Sequence, residues 1–368
     1  MKVALVHDYI AEYGGAERVL EVLSEMFPDA PIYTAYSKKD SEAFKHFKDR
    51  KIVESWAAVI PYFPKLASPL RFLTPWIWGS LDLSKFDLVI SSSSWYSTKG
   101  FNKKDGKPIE ICYCHTPPRW LYGYSTSIEW QKYAPVRIYG KVIGKQIRKY
   151  DYEAAQRVNF FIANSKEVAS RIKRFYNRDA TVIYPPVSLS TTNKKFEKGD
   201  YYFVLSRIVG AKGLEIAVEA AEKMGFKLKI AGANFGYYTG HKAMIKKGLE
   251  NVEFLGFVPD AELVKLYSEA KGFLALAHDE DFGMTPVESM LCGTPVVAFN
   301  GGGYKETVID GKTGVLFDDY SAEGLESAIN KFEKSKFDEK EIIAHAQKFS
   351  KERFEKETRA FIDKAISK

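Results

Sequence analysis

The 368-residue sequence is poor in cysteine. Cys112, Cys114 and Cys292 are too few for a disulfide framework, and none of the six histidines stands at metal-ligand spacing from them. Cys112 and Cys114 alternate within one apolar stretch, the pattern of buried structural thiols. No run of eighteen apolar residues occurs, so no segment is expected to cross a membrane as a helix. The chain opens on MKVALVHDY, a buried-strand pattern where a leader would carry a cleavage site, and the expectation is a cytoplasmic protein. The G-x-G-x-x-G fingerprint is missing, which disfavours a nicotinamide dehydrogenase. Nucleic-acid motifs are missing too. The 54 basic residues are dispersed and offset by 47 acidic ones, so no nucleic-acid partner is expected. The net charge of +7 suits an anionic ligand or an anionic membrane surface without choosing between them.

What is present is a repeated strand–helix rhythm. With 45% hydrophobic residues over this length, two domains are the default. Apolar stretches at 3–6, 32–36, 88–91, 110–114 and 160–163 read as strands, with helical patterns at 139–157 and 166–176. The polar segment 188–200 reads as a linker. The rhythm then restarts, with strands at 202–206, 228–231, 252–255, 272–277, 296–299 and 315–317. Helices are expected at 214–224, 238–248 and 260–270, and over 351–366 at the end of the chain. Such alternation predicts an α/β protein with parallel sheets covered on both faces, and a cleft where two such halves face each other.

The chemistry concentrates in residues 278–295, HDEDFGMTPVESMLCGTP. Glu280 and Glu288 stand with seven residues between them. Thr285-Pro286-x-Glu288 reads as a helix start, with a hydroxyl at the N-cap, proline next and glutamate at the third position, while Gly293 and Pro295 stop the helix. A helix N-terminus after a strand offers free N–H groups to an anion. The same residues equally suit a plain capping box with Glu280 a solvated loop carboxylate. In SRIVGAKG (206–213), Arg207 ends a strand and Lys212 opens a helix. Two cations there match a departing diphosphate, or an ordinary surface. Gly14-Gly15-Ala16 and Gly301-Gly302-Gly303 place flexible backbone where amides can approach a phosphate, or simply turn. His115 ends the Cys112–Cys114 strand.

Two further stretches stand apart. Residues 56–78 crowd aromatics and prolines, too broken for a spanning helix. They suit a bilayer interface or an irregular insertion packed on its own domain. The basic helix at 137–157 suits an anionic membrane surface or a solvated face.

Taken together and in this order, these motifs resemble glycosyltransferase family 4, of the GT-B architecture, over nearly the whole chain. The resemblance rests on Gly14-Gly15, His115, IANS at 162–165, SRIVGAKG at 206–213, LGFVPDAEL at 255–263, and the Glu280/Glu288 pair before PVESMLCGTPVVAFNGGG. Within the family, the sequence is similar to WbaZ-like mannosyltransferases. The resemblance implies two Rossmann-like domains with sheets facing a central cleft. Residues 1–187 would be the acceptor domain, 188–350 the donor domain, and 351–368 a helix packing back on the first. It implies retaining transfer of a hexose, mannose from GDP-mannose, to a glycan or polyprenyl-linked saccharide in cell-surface polysaccharide synthesis. Arg207 and Lys212 would bind the donor diphosphate and Glu280 the sugar hydroxyls. Glu288 would hold the ribose, and Phe257-Val258 would lie beside the base. Phe282, Gly283, Met284 and Thr285 would line the sugar and phosphate. Gly14 and Gly15 would let the first domain approach the diphosphate, and His115 would sit near the reacting carbon. No D-x-D accompanies these residues, and the nearest acidic cluster is Asp279-Glu280-Asp281, so neither a metal nor another cofactor is expected. The alternatives are another GT-B nucleotide-sugar enzyme such as an epimerase, or a non-enzymatic binder of anions or nucleic acid.

Overall fold

Two all-parallel sheets organise the chain. The computed structural model describes residues 1–102, 107–126, 133–189, 196–232 and 250–367. The helix expected over 238–248, and part of the linker expected over 188–200, lie outside the described residues. The first sheet contains β1 (Val3–His7), β2 (Ile32–Thr34), β3 (Ile52–Glu54), β4 (Leu88–Ser93), β5 (Ile109–Cys114), β6 (Phe160–Ala163) and β7 (Ala180–Val182), in the order β3-β2-β1-β4-β5-β6-β7. The second contains β8 (Tyr202–Leu205), β9 (Leu228–Ala231), β10 (Val252–Gly256), β11 (Gly272–Ala275), β12 (Val296–Phe299) and β13 (Gly314–Phe317), in the order β10-β9-β8-β11-β12-β13. Both have the doubly wound order, which reverses direction between β1 and β4 and between β8 and β11. Ligands of such sheets bind beyond the carboxyl ends of the strands at these reversals.

The chain divides into two units. One takes Met1–Tyr124, the segment ending at Pro186 and the C-terminal helix, and the other runs through Val187–Ser350 with Ser125 and Thr126 grouped to it. Central strands are apolar throughout because helices cover both faces, and every residue of β4, β11 and β12 is buried. The edge strands β3 and β7 escaped the sequence reading. Each has three residues, and both are only half-covered, so neither carries a continuous apolar run.

Local rules account for the connecting helices. Lys166–Tyr176 begins because Ser165 stays extended and its hydroxyl accepts the Val168 N–H at 3.0 Å. It ends at Asn177, which takes the left-handed conformation at φ 51° after the basic Lys173 and Arg174. Losing the Ser165 cap would cost about 1 kcal/mol. The Lys351–Ile366 helix buries Phe354, Ile362 and Ala365 in the core of the first unit beside Val19 and Leu20. Its first residue, Lys351, pairs with Glu25, and Arg353 Nη2 donates to Tyr184 O at 2.8 Å.

The 56–78 stretch is a chain of short helical turns that faces two ways. Phe63, Ile77 and Trp78 are core residues with Tyr33 and Phe86, and Trp78 Nε1 donates to Tyr96 O at 2.8 Å. Trp56, Val59, Tyr62 and Trp76 are exposed. The basic helix is longer than its pattern, Ala134–Arg157. It is fastened by a fully buried Lys99–Asp151 ion pair whose carboxylate also accepts from Tyr122 at 2.8 Å. Its Lys141, Lys145 and Lys149 face solvent.

Candidate active site

In the second unit, β8 and β11 lie side by side and each delivers functional residues just past its carboxyl end. Arg207 follows β8 by two residues and is exposed, and the Gly210–Lys212 turn then presents Lys212. Glu280 follows β11 by five residues. Lys212 Nζ donates to Glu280 Oε2 at 2.6 Å, with the two side chains 23% and 17% exposed. Tyr304 Oη donates to the same oxygen at 3.4 Å. Burial first, then the neighbouring Glu280 charge, push the Tyr304 phenol well above its ordinary value, so it remains a donor.

The glycine run explains why Glu280 sits where it does. Gly303 N–H donates to Glu280 O at 2.9 Å, and a Cβ at Gly302 would lie 2.1 Å from that same oxygen. Gly302 also holds φ 52°, where side chains are strained. The close backbone approach expected of this run is therefore made to the protein's own 280 loop.

The helix that follows does not start as its sequence reads. It runs Met284–Leu291 with Gly283 at the N-cap in the left-handed region, φ 92°, and no side-chain cap. Thr285 lies inside the first turn and is not the cap, and Glu288 is not the acid of a capping box. Glycine allows the earlier start because it alone accepts that backbone with the Tyr304 ring pressed against it; a Cβ there would come within 2.7 Å of the ring. Glu288 is instead nearly buried, and one oxygen accepts the Tyr267 phenol at 2.7 Å. Phe282 is buried against Phe349, Met284 and Val258 are half-buried, and Phe257 is exposed. Asp279 is held by Ser125, whose Oγ donates at 3.0 Å. Among the described residues, no three acidic, histidine or cysteine side chains converge as a metal site.

The first unit contributes a hydrogen-bonded chain at its own strand reversal. His7 ends β1, Ser92 lies near the end of β4, and His115 follows β5. Ser92 Oγ stands 2.9 Å from His7 Nδ1 and 2.8 Å from His115 Nε2. His7 Nε2 is 3.3 Å from Glu17, whose other oxygen accepts the Gly14 N–H at 2.9 Å. A carboxylate only accepts, so His7 carries its proton on Nε2. A neutral His7 then accepts from Ser92, Ser92 accepts from His115 Nε2–H, and His115 Nδ1 is left as an acceptor. Burial first, then the adjacent His7, lower the His115 imidazole to about 3. Gly14 caps the Gly15–Met26 helix, while Gly15 is exposed at its start.

His7, Glu17, Ser92, Tyr267 and Tyr304 were not read from the sequence as site residues. Glu17, three residues after Gly14, was the one with a local signal, since an acid there reaches back to the cap N–H.

Two doubly wound units, each gathering polar residues at its strand reversal, define a nucleotide-binding protein of the GT-B kind. Residues 13–191 match the family model Glycosyltransferase Family 4, and residues 189–349 match Glycosyl transferases group 1. The chain belongs to the family-4 glycosyltransferases of GT-B fold. An uncharacterised glycosyltransferase of Methanocaldococcus jannaschii is 28% identical over 192 residues, 52% of this chain and 54% of its own length. Glycogen synthase of Thermus thermophilus is 35% identical over 127 residues, 33% of this chain and 29% of its own length. The chain thus spans about half or less of these curated relatives. The structure of HepE from Anabaena, in complex with UDP and glucose, aligns over 99% of both chains with a TM-score of 0.73 at 19% identity, a likeness of fold.

Proposed function

We propose that the protein is a retaining glycosyltransferase that moves a hexose from a nucleotide-sugar donor to a glycan or polyprenyl-linked saccharide. Mannose from GDP-mannose is the favoured donor on the resemblance to WbaZ-like enzymes, and the product would serve cell-surface polysaccharide synthesis. The observation that carries the reading is the Lys212–Glu280 pair at the carboxyl edge of β8 and β11, backed by the glycine run. Lys212 and Arg207 meet the charge of the departing diphosphate, Glu280 holds sugar hydroxyls, and Glu288, oriented by Tyr267, holds the ribose.

In this reading the acceptor oxygen bonds to the anomeric carbon on the face from which the diphosphate leaves, and its proton passes to a donor phosphate oxygen. Retaining glycosidases use two carboxylates about 5 Å apart, one as nucleophile. Here Glu288 is committed to Tyr267 and Glu280 to Lys212, which favours the same-face route. His115 lies near the reacting carbon and offers Nδ1 as an acceptor. The reaction needs no metal. The protein works in the cytoplasm at the inner membrane face, touching anionic lipid through the exposed part of 56–78 and the basic face of Ala134–Arg157.

The alternative donor is a uridine nucleotide, the class bound in the HepE structures. A thermal-shift screen of GDP, UDP, ADP and their hexose conjugates decides between them. A ligand at a hundredfold excess over its dissociation constant adds about 2.7 kcal/mol of stability. A shift with GDP and GDP-mannose, lost in Glu288→Gln, supports the reading. A shift confined to UDP conjugates replaces the donor, and no shift with any nucleotide removes the transferase assignment. The anomeric configuration of the product, read by proton NMR, tests retention.

A further inference from the structure

Beyond β4, the first unit holds a cluster that neither the donor contacts nor the His115 chain uses. The Arg71 guanidinium lies 4.8 Å from the Trp95 ring centre and 4.7 Å from that of Trp120. Its Nη2 donates to Ser68 Oγ at 2.7 Å, and its Nε is buried with no partner. Among the described residues, no ion pair joins it to a carboxylate, and the titratable groups that act on it are the phenols of Tyr139, Tyr96 and Tyr9. Burial lowers its pKa to about 10, against the pull of those phenols, so it stays charged at neutral pH. Tyr96 Oη, Ser93 Oγ and Ser97 Oγ are also buried without partners, and Ser97 holds a left-handed φ of 56°. A guanidinium this buried is normally matched by an acid. Here two indole faces fix its plane and leave its charge uncompensated, at the edge where such sheets take ligands.

The surroundings of this cation are apolar and exposed. In the same insertion, Val59, Tyr62 and Trp76 are 84%, 75% and 62% exposed. The Arg71–Leu73 turn packs against both the Thr74–Gly79 and the Ala134–Arg157 helices, and Tyr139 of the latter donates to Pro69 O. Ile138 and Val142 of that helix are exposed as well. A buried, unmatched cation beside an uncovered apolar ledge is complementary to a molecule with an anionic head and a hydrocarbon tail.

We propose that Arg71, held between Trp95 and Trp120, receives the phosphate of a polyprenyl-phosphate or polyprenyl-diphosphate acceptor whose tail lies along Val59, Tyr62 and Trp76. This rests on the transferase reading above and deepens it, since a purely carbohydrate acceptor has no charge to match Arg71.

The test titrates the full chain calorimetrically with farnesyl diphosphate below its micellar concentration, and with farnesol and inorganic pyrophosphate as the two halves of that probe. Farnesyl diphosphate binds the wild type more tightly than either half. Arg71→Gln weakens it about tenfold or more, and Arg71→Lys, which keeps the charge but not the planar stack, falls between. Farnesol binding is the same in all three proteins. The nucleotide-induced melting shift, a property of the second unit, reports that each variant is folded. If Arg71→Gln does not fold, Arg71→Lys decides alone, by weakening farnesyl diphosphate without affecting farnesol. No binding to the wild type, or equal binding by wild type and Arg71→Gln, overturns the proposal. Pyrophosphate binding as tightly as farnesyl diphosphate overturns the lipid assignment, because the ledge then contributes nothing. Arg71-dependent binding in a protein that answers to no nucleotide upholds this site and sinks the donor reading instead.

Discussion

Replacing Lys212 by methionine separates a structural ion pair from a donor site. The change keeps the aliphatic stem and strips the ammonium from Glu280, whose side chain is 17% exposed. Exposed pairs contribute about 0–1 kcal/mol, and breaking fully buried ones costs about 3–5. With its partner 23% exposed, this pair falls between, so Lys212→Met should cost about 1–3 kcal/mol. For a domain the size of the second unit, that lowers the melting temperature by roughly 3–10 °C. Adding Glu280→Gln removes the stranded charge and leaves an amide oxygen for Tyr304 Oη. The double variant should therefore recover most of the melting loss. Transfer should not recover, because the cation opposite the leaving diphosphate is still missing, a loss of about 100-fold or more in kcat. Calorimetric melting and initial-rate kinetics on both variants read the two quantities separately. Recovery of both would mean that the pair only holds the loop. A single variant that melts like the wild type would refute the burial argument.

Gly302→Ala should lower the stability of the second unit by at least about 2 kcal/mol and abolish its melting response to donor, since φ 52° and the 2.1 Å approach to Glu280 O leave no room for a methyl group. Unaltered nucleotide binding in that variant would show that the glycine run does not set the 280 loop. The His115 imidazole, at about 3 in the folded state, lies below its usual value near 6.5. The unfolded chain therefore binds a proton as pH falls below 6.5 while the folded chain does not, so stability is lost between pH 6.5 and 3. Between pH 6.5 and 4 the loss is about 3 kcal/mol. Urea unfolding at pH 7 and 4 should show a shallower loss for His115→Asn than for the wild type, and equal losses would count against a buried neutral imidazole.

Much of this protein was determined locally. Apolar runs four to six residues long, separated by amphipathic helical patterns, fixed the parallel sheets, because only strands covered on both faces read that way. Ser165 and Asn177 marked the ends of a helix to the residue. Glu280, Lys212, Arg207 and His115 were legible because each stands just past a strand, where a parallel sheet delivers its ligand contacts whatever the side-chain packing. Edge strands β3 and β7 were not legible, since half-covered three-residue strands carry no periodicity. The start of the Met284–Leu291 helix was misread because Thr285 and Glu288 obey the local capping rule. The Gly302–Gly303 turn and the Tyr304 ring, close to Gly283 only in the folded chain, impose a different start. The same holds for Glu288, whose partner Tyr267 lies 21 residues away, and for Ser92, which joins two histidines brought together by strand order. Arg71 is the extreme case: in sequence it is one basic residue in an aromatic stretch. Its two indole neighbours come from segments 24 and 49 residues on, and only tertiary contact leaves its charge without a match. Backbone periodicity is written along the chain, whereas the surroundings of a single side chain are assembled from strands that the chain visits far apart.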